Sequence, residues 1–494
     1  MRIEAEGDIE RLRQIALLLQ SENGRLFQRL EELAGELAHL KGEAPAEQLA
    51  LEIALLKEKL QARERALFSP SSEKRPKEPC DEQEKKPRTG HGPRHQPELP
   101  IVEAIHVLDE ADKVCPKCGG GLEEWAGQFE QSDEIDVVER SYRIVRHKRQ
   151  KYRCQCAECI DTALGPDKLI PGGRYSVDFA IAVAIGKYTD HLPLARQSRM
   201  MARDGLLIDT QTLWDQLFAL AGHLGPTYEA LHDLVLQAPV IGADETTWRL
   251  LGSGSKSWWA WSVCSPDAVV YQISPTRSAK DAGRILRDFS GIVVADGYSA
   301  YKTLRNERAA GREGPAFELT ACWAHVRRKF LEAEPNHPEA TPVLDLIRDL
   351  YGVEAEGRAA PDRLAALRDD KSRQLLEQIR DALLAIRALP RSSLGTAVGY
   401  TFELWPALTR FVDDSRIPLD NNQTERALRG IVIGRKNHYG SRSLRGTQVA
   451  ALFYSLIESA KLCGVEPRAY LREATRRAIA QPGTVTPPRT LLQP

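Results

Sequence analysis

Two short apolar runs that each end in an aspartate constrain the fold of this chain most. Residues 240–243 precede Asp244, and residues 291–295 precede Asp296. Short apolar runs bounded by turn residues predict buried strands. A carboxylate at the end of a buried strand is costly unless it is paired, hydrogen-bonded or bound to a metal ion. The sequence therefore predicts strands whose ends carry functional aspartates.

The segments around these runs alternate between strand and helix patterns. Residues 258–264, 269–273 and about 317–321 are predicted strands, residues 279–289 are a predicted helix, and a short helix is predicted from Ser299. The resulting order is three strands, helix, strand, helix, strand. This order fits a mixed α/β sheet of the RNase H type, in which Asp244 and Asp296 would stand at neighbouring strand ends.

A third acid is expected beside the two aspartates. Two carboxylates that approach each other repel, and a divalent cation relieves that repulsion. Mg²⁺ binds one or two carboxylates together with waters and phosphate oxygens. Our candidate for the third ligand is Glu425, on the first turn of a helix that Asn421 or Asn422 would cap. Asp420 competes with Glu425 for this place.

The first 68 residues carry a heptad repeat. The d positions are Leu12, Leu19, Leu26, Leu33 and Leu40, and the a positions are Ile9, Ala16, Asn23, Leu30 and Leu37. This pattern predicts a coiled coil through which the chain would form a homo-oligomer, with Asn23 fixing its register. The alternative is an amphipathic helix packed on its own domain. Residues 69–100 are rich in Pro, Lys, Glu and Gly and predict a flexible linker.

Residues 101–165 hold five of the nine cysteines. They form two clusters, Cys115 with Cys118, and Cys154 with Cys156 and Cys159. Close cysteines on either side of a strand segment predict a tetrahedral structural Zn²⁺ site, in which one of the last three thiols would be spare. The alternative is a set of buried free thiols. The intervening residues 135–152 alternate in strand fashion and are strongly basic, so Arg146, Lys148 and Arg149 are candidate nucleic-acid contacts.

Residues 177–236 have a helical pattern. Residues 192–206 followed by residues 210–217 predict two helices with a break at Gly205, and Asp209 or Thr210 could cap the second. Two interpretations stay open: a helix-turn-helix unit that binds DNA, or an all-helical connector.

Several short motifs together resemble those of one protein family. They are residues 243–246, 296–301 and 322–330, Asp420 to Asn422 with residues 425–429, residues 434–437, and residues 455–458 with 464–467. In this order, and over most of the chain, they resemble the bacterial insertion-sequence transposases of the IS66 family, which are of the DDE type.

The resemblance implies an RNase H-like catalytic core in which Asp244, Asp296 and Glu425 bind Mg²⁺ or Mn²⁺. It implies a DNA transposase that cuts transposon ends and joins them to target DNA, with accessory proteins of the same element as partners. The long spacing from Asp296 to Glu425 implies a helical insertion, and residues 344–389 have the helical pattern for it. The C-x-C-x-x-C arrangement from Cys154 to Cys159 departs from a simple pair and leaves the zinc ligands open.

Basic residues follow the third acid. Arg426, Arg429, Arg435 and Lys436 are candidate contacts to DNA phosphates. The alternative for these side chains is a solvated helix face.

Two further groups have an ambiguous pattern. Cys322 and His325 have C-x-x-H spacing, but no second pair lies nearby. We therefore expect a buried Cys322 at a strand end and His325 facing the active-site cleft, rather than a zinc site. Trp258, Trp259 and Trp261 could stack on bases, but their strand pattern favours a place in the core.

Composition excludes several other classes. The chain has 494 residues, 42% hydrophobic and 28% charged, with a net charge of −1, as in ordinary globular proteins. The longest apolar stretch, residues 179–185, is too short for a membrane span, and the N-terminus lacks a signal-peptide pattern. We therefore expect a cytoplasmic, nucleoid-associated protein without a membrane partner.

Other enzyme classes are not supported. The sequence has no G-x-x-x-x-G-K-[ST] loop for an ATP-driven motor, and no nucleophile constellation of a serine or tyrosine recombinase. The remaining alternative is a catalytically inactive DNA-binding or regulatory protein that keeps the transposase fold.

The predicted fold class is a multidomain α+β chain. Its predicted parts are a coiled coil (1–68), a linker (69–100), a zinc-binding domain (101–165), a helical DNA-binding or connector domain (166–237), an RNase H-like core (238–333 and 416–455) with a helical insertion (334–415), and a helical C-terminal segment (456–494).

Overall fold

The computed structural model describes residues 23–30, 32–33, 51–61, 63, 117, 141–153, 160–252 and 257–492. All of them except Lys117 and Ser141 belong to one compact unit. The five clustered cysteines and the leucines at positions 12, 19 and 40 lie outside the described residues. Residues 23–30, 32–33, 51–61 and 63 are helical. Within residues 51–61 Ile53 is buried, and the Glu58 carboxylate accepts a hydrogen bond from the backbone nitrogen of Ser393 at 2.8 Å.

The basic segment after Ser141 has little regular structure. Residues 141–150 form neither helix nor strand. Strand β1 (Lys151–Arg153) then pairs antiparallel with β2 (Ile160–Thr162). The prediction of one alternating strand over residues 135–152 is therefore wrong for residues 141–150 and confirmed for residues 151–152. This segment is exposed and rich in cations, so it presents no buried apolar face through which a longer strand could pack.

Three helices precede the main sheet: α1 (Val177–Tyr188), α2 (Leu194–Arg203) and α3 (Thr210–Leu236). The break between α2 and α3 falls at Gly205, which has a φ of +82°. Asp209 takes the N-cap position of α3, but its side chain makes no capping hydrogen bond. Buried residues of α1 and α3 lie in the same hydrophobic core as the sheet. These helices therefore share a core with the sheet instead of enclosing one of their own.

The main sheet has five strands in the order β5-β4-β3-β6-β7. Their bounds are β3 (Val240–Trp248), β4 (Trp258–Cys264), β5 (Val269–Ser274), β6 (Ile292–Ala295) and β7 (Glu318–Ala321). Strands β3, β4 and β5 form an antiparallel meander, and β6 and β7 run parallel to β3. Helices α4 (Ala279–Leu286) and α5 (Ser299–Ala309) connect β5 to β6 and β6 to β7. The predicted order of strands and helices is confirmed.

The register between β3 and β6 brings the two aspartates to the same level. Residues 240–242 of β3 pair with residues 292–294 of β6, so the same register continued by two residues places Asp296 opposite Asp244. Asp296 follows the end of β6, as predicted. Asp244 does not end its strand, because β3 continues to Trp248 through its pairing with β4. Asp244 lies just beyond the part of β3 that pairs with the parallel strand β6.

A helical layer follows β7 and has its own core. It comprises α6 (Trp323–Ala333), α7 (Ala340–Ala359), α8 (Leu364–Leu367), a π-helical turn (Arg368–Ser372), α9 (Arg373–Ala385) and α10 (Ser393–Leu408). Buried residues of α6, α7, α9 and α10 form one hydrophobic cluster. The predicted helical pattern of residues 344–389 is confirmed.

The chain then returns to the sheet through α11 (Asn422–His438), α12 (Leu444–Leu462) and α13 (Pro467–Ala480). Helix α12 is tied to β5, because the hydroxyls of Ser455 and Ser459 accept hydrogen bonds from the backbone nitrogens of Tyr271 and Val269, both at 2.9 Å. Within the described part of the chain, no helix combines the length and the apolar character that a membrane span requires.

Candidate active site

Helix α11 lies against the face of β3 that carries Asp244. Successive side chains of a strand alternate between its faces, so Gly242 and Asp244 share one face. A Cβ atom on Gly242 would lie 2.1 Å from Thr424 Oγ1 and 2.3 Å from Asn421 Oδ1. Glycine at this position therefore allows the first turn of α11, which carries Glu425, to approach β3.

Asn421 holds this turn against the sheet. It takes the N-cap position of α11, but its side chain makes no capping hydrogen bond. Its Nδ2 donates to the carbonyl oxygen of Ala243 at 2.8 Å, and its backbone nitrogen donates to Cys322 Sγ at 3.2 Å. Asp420 Oδ1 accepts from the backbone nitrogen of Asn422 at 3.0 Å. The prediction of a cap by the side chain of Asn421 or Asn422 is wrong, because Asp420 satisfies the free N–H and Asn421 binds β3 instead.

The three predicted acids interact electrostatically. Burial, together with the negative charges of Glu245, Asp296 and Glu425, raises the pKa of Asp244 to about 8. A hydrogen bond from the backbone nitrogen of Glu245 to Asp244 Oδ1, at 2.8 Å, opposes this rise. Asp244 therefore holds a proton near neutral pH when no cation is present, as expected for carboxylates that are brought together.

Asp296 is fixed by the turn that follows β6. Its Oδ1 accepts a hydrogen bond from the backbone nitrogen of Tyr298 at 2.9 Å. Its carbonyl oxygen accepts from the hydroxyl of Tyr400 in α10, at 2.5 Å. Gly297 has a φ of +85°, and a Cβ there would lie 2.8 Å from Leu404 Cδ1. The turn that orients Asp296 therefore depends on contacts with the helical layer.

Glu425 also contacts α6. Its Oε1 lies 3.6 Å from His325 Nδ1, and its Oε2 lies 3.6 Å from Arg328 Nη2. Cys322 is buried directly after β7, and His325 lies beside the acidic site, as predicted. One ligand atom each from Cys322, His325 and Glu425 lies within 4.8 Å of the other two, and no other three candidate metal ligands among the described residues are as close. The oxygens of the three predicted acids are therefore more widely spaced than that.

Glu245, which follows Asp244 and points to the other face of β3, is not among the site residues predicted from the sequence. Its side chain is fully buried beside Arg277, whose Nε lies 2.7 Å from Glu245 Oε1. The hydroxyl of Tyr301 donates to Glu245 Oε2 at 2.9 Å. Arg277 in turn stacks on the ring of Tyr298, 3.6 Å from its centroid. A glutamate inside a buried strand was the available signal for this pair.

The candidate DNA contacts differ in accessibility. Arg426, Arg429 and Lys436 are exposed on α11, and Arg146, Lys148 and Arg149 are exposed in the segment before β1. Arg435 is half-buried, and its Nη1 donates to the hydroxyls of Thr246, at 3.0 Å, and Thr247. Arg435 therefore ties α11 to β3 through Nη1, and its contact with DNA phosphate stays a prediction.

The tryptophans of β4 belong to the protein interior. Trp261 is fully buried, and Trp258 and Trp259 pack against the main core. The interpretation of these residues as core is confirmed.

Comparison with known proteins agrees with this organisation. Residues 172–449 match the family described as transposase IS66 family, and residues 112–157 match the zinc-finger binding domain of transposase IS66. No solved structure matches the chain.

The similar curated proteins come from Sinorhizobium fredii. The uncharacterized protein y4jD is 32% identical over 82% of this chain and 81% of its own length. The uncharacterized protein y4qI is 32% identical over 79% of this chain and 76% of its own length. Since the family match covers more than half of the chain, this protein belongs to the IS66 family of transposases.

Proposed function

We propose that this protein is a DNA transposase of the DDE type, with an RNase H-like core in which Asp244, Asp296 and Glu425 hold Mg²⁺ or Mn²⁺. The observation that carries the proposal is that Asp296, after β6, and Glu425, on α11, lie near enough to Asp244 of β3 for their negative charges to raise its pKa. The strand order of the sheet supports the RNase H-like assignment.

The donor set fits a hard divalent cation. Mg²⁺ and Mn²⁺ prefer carboxylate oxygens, and the site offers three carboxylate groups. Glu425 Oε1 is buried without a hydrogen-bond partner, as expected for an oxygen that awaits a ligand. A bound cation would supply Lewis acidity that activates the attacking oxygen and stabilises the leaving oxygen of a phosphodiester.

The chain's own residues position the reactants. The backbone nitrogen of Tyr298 and the hydroxyl of Tyr400 orient the turn at Asp296. Gly242 and Asn421 set the distance between Glu425 and β3. Arg426, Arg429 and Lys436 are exposed on α11, the helix that carries Glu425, and would bind DNA phosphates.

The proposed reaction consists of two in-line displacements. Water attacks the phosphodiester at the transposon end and frees a 3′-hydroxyl, and that hydroxyl then attacks a phosphodiester of the target DNA. No covalent link between protein and DNA forms. Positioning and charge stabilisation are the protein's contributions.

We also propose a structural Zn²⁺ in the segment matched as a zinc finger. The match ends at residue 157 and so includes Cys115, Cys118, Cys154 and Cys156 but not Cys159. This boundary supports Cys159 as the spare thiol, because the other four satisfy a tetrahedral site. Metal analysis is expected to keep this zinc in Cys159→Ser and to lose it in Cys115→Ser. Loss in Cys159→Ser would contradict the assignment.

A strand-transfer assay with Mg²⁺ tests the proposed function. Asp244→Asn is expected to lower product formation by roughly a thousandfold, because metal stabilisation contributes several kcal/mol. Asp362→Asn, on the exposed surface of the helical layer, is the matched control and should retain activity. Activity in EDTA or a covalent protein–DNA adduct would contradict the mechanism. DNA binding without cleavage by the wild type would support the inactive, regulatory alternative.

A further inference from the structure

The acidic triad accounts for Glu425 but not for Cys322 and His325, which lie beside it. Cys322 is the N-cap residue of α6, and His325 follows in its first turn. Glu425 comes from the first turn of α11. The C-x-x-H spacing lacks a second pair in the sequence, but the fold supplies a carboxylate as the third donor.

The separation of His325 Nδ1 and Glu425 Oε1 is that of two ligands around one ion. His325 Nδ1 and Glu425 Oε1 are 3.6 Å apart, too far for a good hydrogen bond. Two ligands bound to a tetrahedral Zn²⁺ at the usual bond lengths lie ~3.4 Å from each other. The observed separation therefore matches two ligands of a common ion more closely than a hydrogen-bonded pair.

The burial of the ligand atoms also supports a bound ion at this place. His325 Nδ1 and Glu425 Oε1 are both buried without a hydrogen-bond partner. Cys322 is 1% exposed. Arg328 approaches the other oxygen of Glu425, Oε2, at 3.6 Å, so Oε1 stays available. Buried polar atoms are nearly always satisfied, and one cation would satisfy both of these at once.

We propose that Cys322, His325 and Glu425 form a Zn²⁺ site, with a fourth position open to water, and that zinc bound there withdraws Glu425 from Asp244 and Asp296. A thiolate and an imidazole select zinc over magnesium, which prefers oxygen ligands. Binding displaces the thiol proton to solvent. The site itself is independent of the proposed function, whereas its inhibitory consequence rests on that function.

The binding test is a Co²⁺ titration of the full-length protein, monitored by the near-ultraviolet thiolate-to-cobalt absorption band. Wild type is compared with Cys322→Ser and His325→Gln. Cys463→Ser is the matched control, because Cys463 is a half-buried free cysteine elsewhere. The zinc-finger signal is common to all four proteins and cancels in difference spectra. Wild type and Cys463→Ser are expected to bind one more cobalt ion per chain than the other two.

Identical titrations of wild type and both site variants would overturn the site. Thermal melts without metal show whether each variant is folded. His325→Gln keeps the buried Cys322, so it decides the outcome if Cys322→Ser does not fold.

The activity test adds micromolar Zn²⁺ to the Mg²⁺ cleavage assay, with each protein compared to its own rate without zinc. Zinc is expected to slow wild type by about tenfold or more, because a displaced metal ligand costs at least that much. Cys322→Ser should be nearly insensitive. A cobalt band without zinc inhibition would overturn the withdrawal of Glu425. Absence of Mg²⁺-dependent cleavage in the wild type would refute the proposed function, while the cobalt titration would still decide the site.

Discussion

At the scale of single residues, Asp244 links the fold to the chemistry. Its position on β3 is dictated by apolar packing, yet its carboxyl feels the negative charges of three other acids. The folded protein therefore holds a proton there that the unfolded chain releases at much lower pH. This difference makes the stability of the protein depend on pH.

The first prediction concerns stability in EDTA. The pKa of Asp244 is raised from its ordinary value of 3.8 to about 8 in the folded state. A carboxyl with a raised folded pKa stabilises the protein fully below its unfolded pKa, and this contribution is lost as pH rises through the folded pKa. The melting temperature of the metal-free protein should therefore fall between pH 4 and about 8. Calorimetry should find a smaller slope in Asp244→Asn, and equal slopes in both proteins would refute the prediction.

The second prediction concerns Gly242. Alanine at this position collides with Thr424 and Asn421, so Gly242→Ala should destabilise the protein by about 1–3 kcal/mol, as overpacking does. Gly352→Ala is the matched control, because Gly352 is an exposed glycine of α7 with no atom near an added Cβ. That change should stabilise the protein by about 0.5–1 kcal/mol. Chemical denaturation of both variants checks the two signs, and an unaffected Gly242→Ala would show that α11 does not press on β3.

At the scale of elements, α11 joins the acidic site to a basic surface. Arg426, Arg429, Ile433 and Lys436 are exposed, and their spacing places them on one face of the helix. The opposite face is buried. The sequence has no Asp or Glu between Glu425 and Glu458. The exposed face of α11 is therefore positively charged from Arg426, next to Glu425 in the chain, to the helix end.

The third prediction follows from this face. Each phosphate contact lowers the slope of log affinity against log salt for duplex DNA by about 0.9. Replacing Arg426, Arg429 or Lys436 by alanine should in each case reduce the steepness of this slope by about 0.9. Arg358→Ala, on the exposed side of α7, should leave it unchanged. Fluorescence anisotropy over a salt series measures the slopes, and parallel lines for all four variants would remove this face from the DNA interface.

Individual elements also show what could be predicted from the sequence. The strands and helices around Asp244 and Asp296 follow from hydrophobic periodicity, which is a local signal. The use of Asn421 against β3 and of Arg435 on Thr246 could not be predicted. These contacts join positions that are far apart in the chain, and only the packing of α11 on the sheet creates them. For the same reason, the proximity of Glu425 to Cys322 and His325 could not be predicted from the sequence.

At the scale of the whole molecule, two hydrophobic cores meet at the acidic site. One contains the sheet with α1, α3, α11, α12 and α13. The other contains α6, α7, α9 and α10. The strand that carries Asp244 belongs to the first, whereas Tyr400, which packs against the second, contacts the turn at Asp296. The geometry of the acids therefore depends on how the helical layer packs against the sheet.

The fourth prediction concerns assembly through the heptad segment, which stays a prediction because most of it lies outside the described residues. Charged residues at d positions disrupt a coiled coil, so Leu19→Glu combined with Leu33→Glu should convert an oligomer into a monomer. Leu384→Glu is the control, since Leu384 is an exposed leucine of α9. Light scattering measures the mass of each full-length protein. A monomeric wild type would contradict the predicted homo-oligomer.

The binding of divalent cations by the three acids is tested most directly by a crystal structure of the full-length protein with Mn²⁺, using anomalous scattering to locate the metal. We expect an anomalous peak coordinated by Asp244, Asp296 and Glu425, with Glu425 turned from α6 toward the aspartates. A fully soaked crystal with no peak at Asp244 and Asp296 would contradict the account.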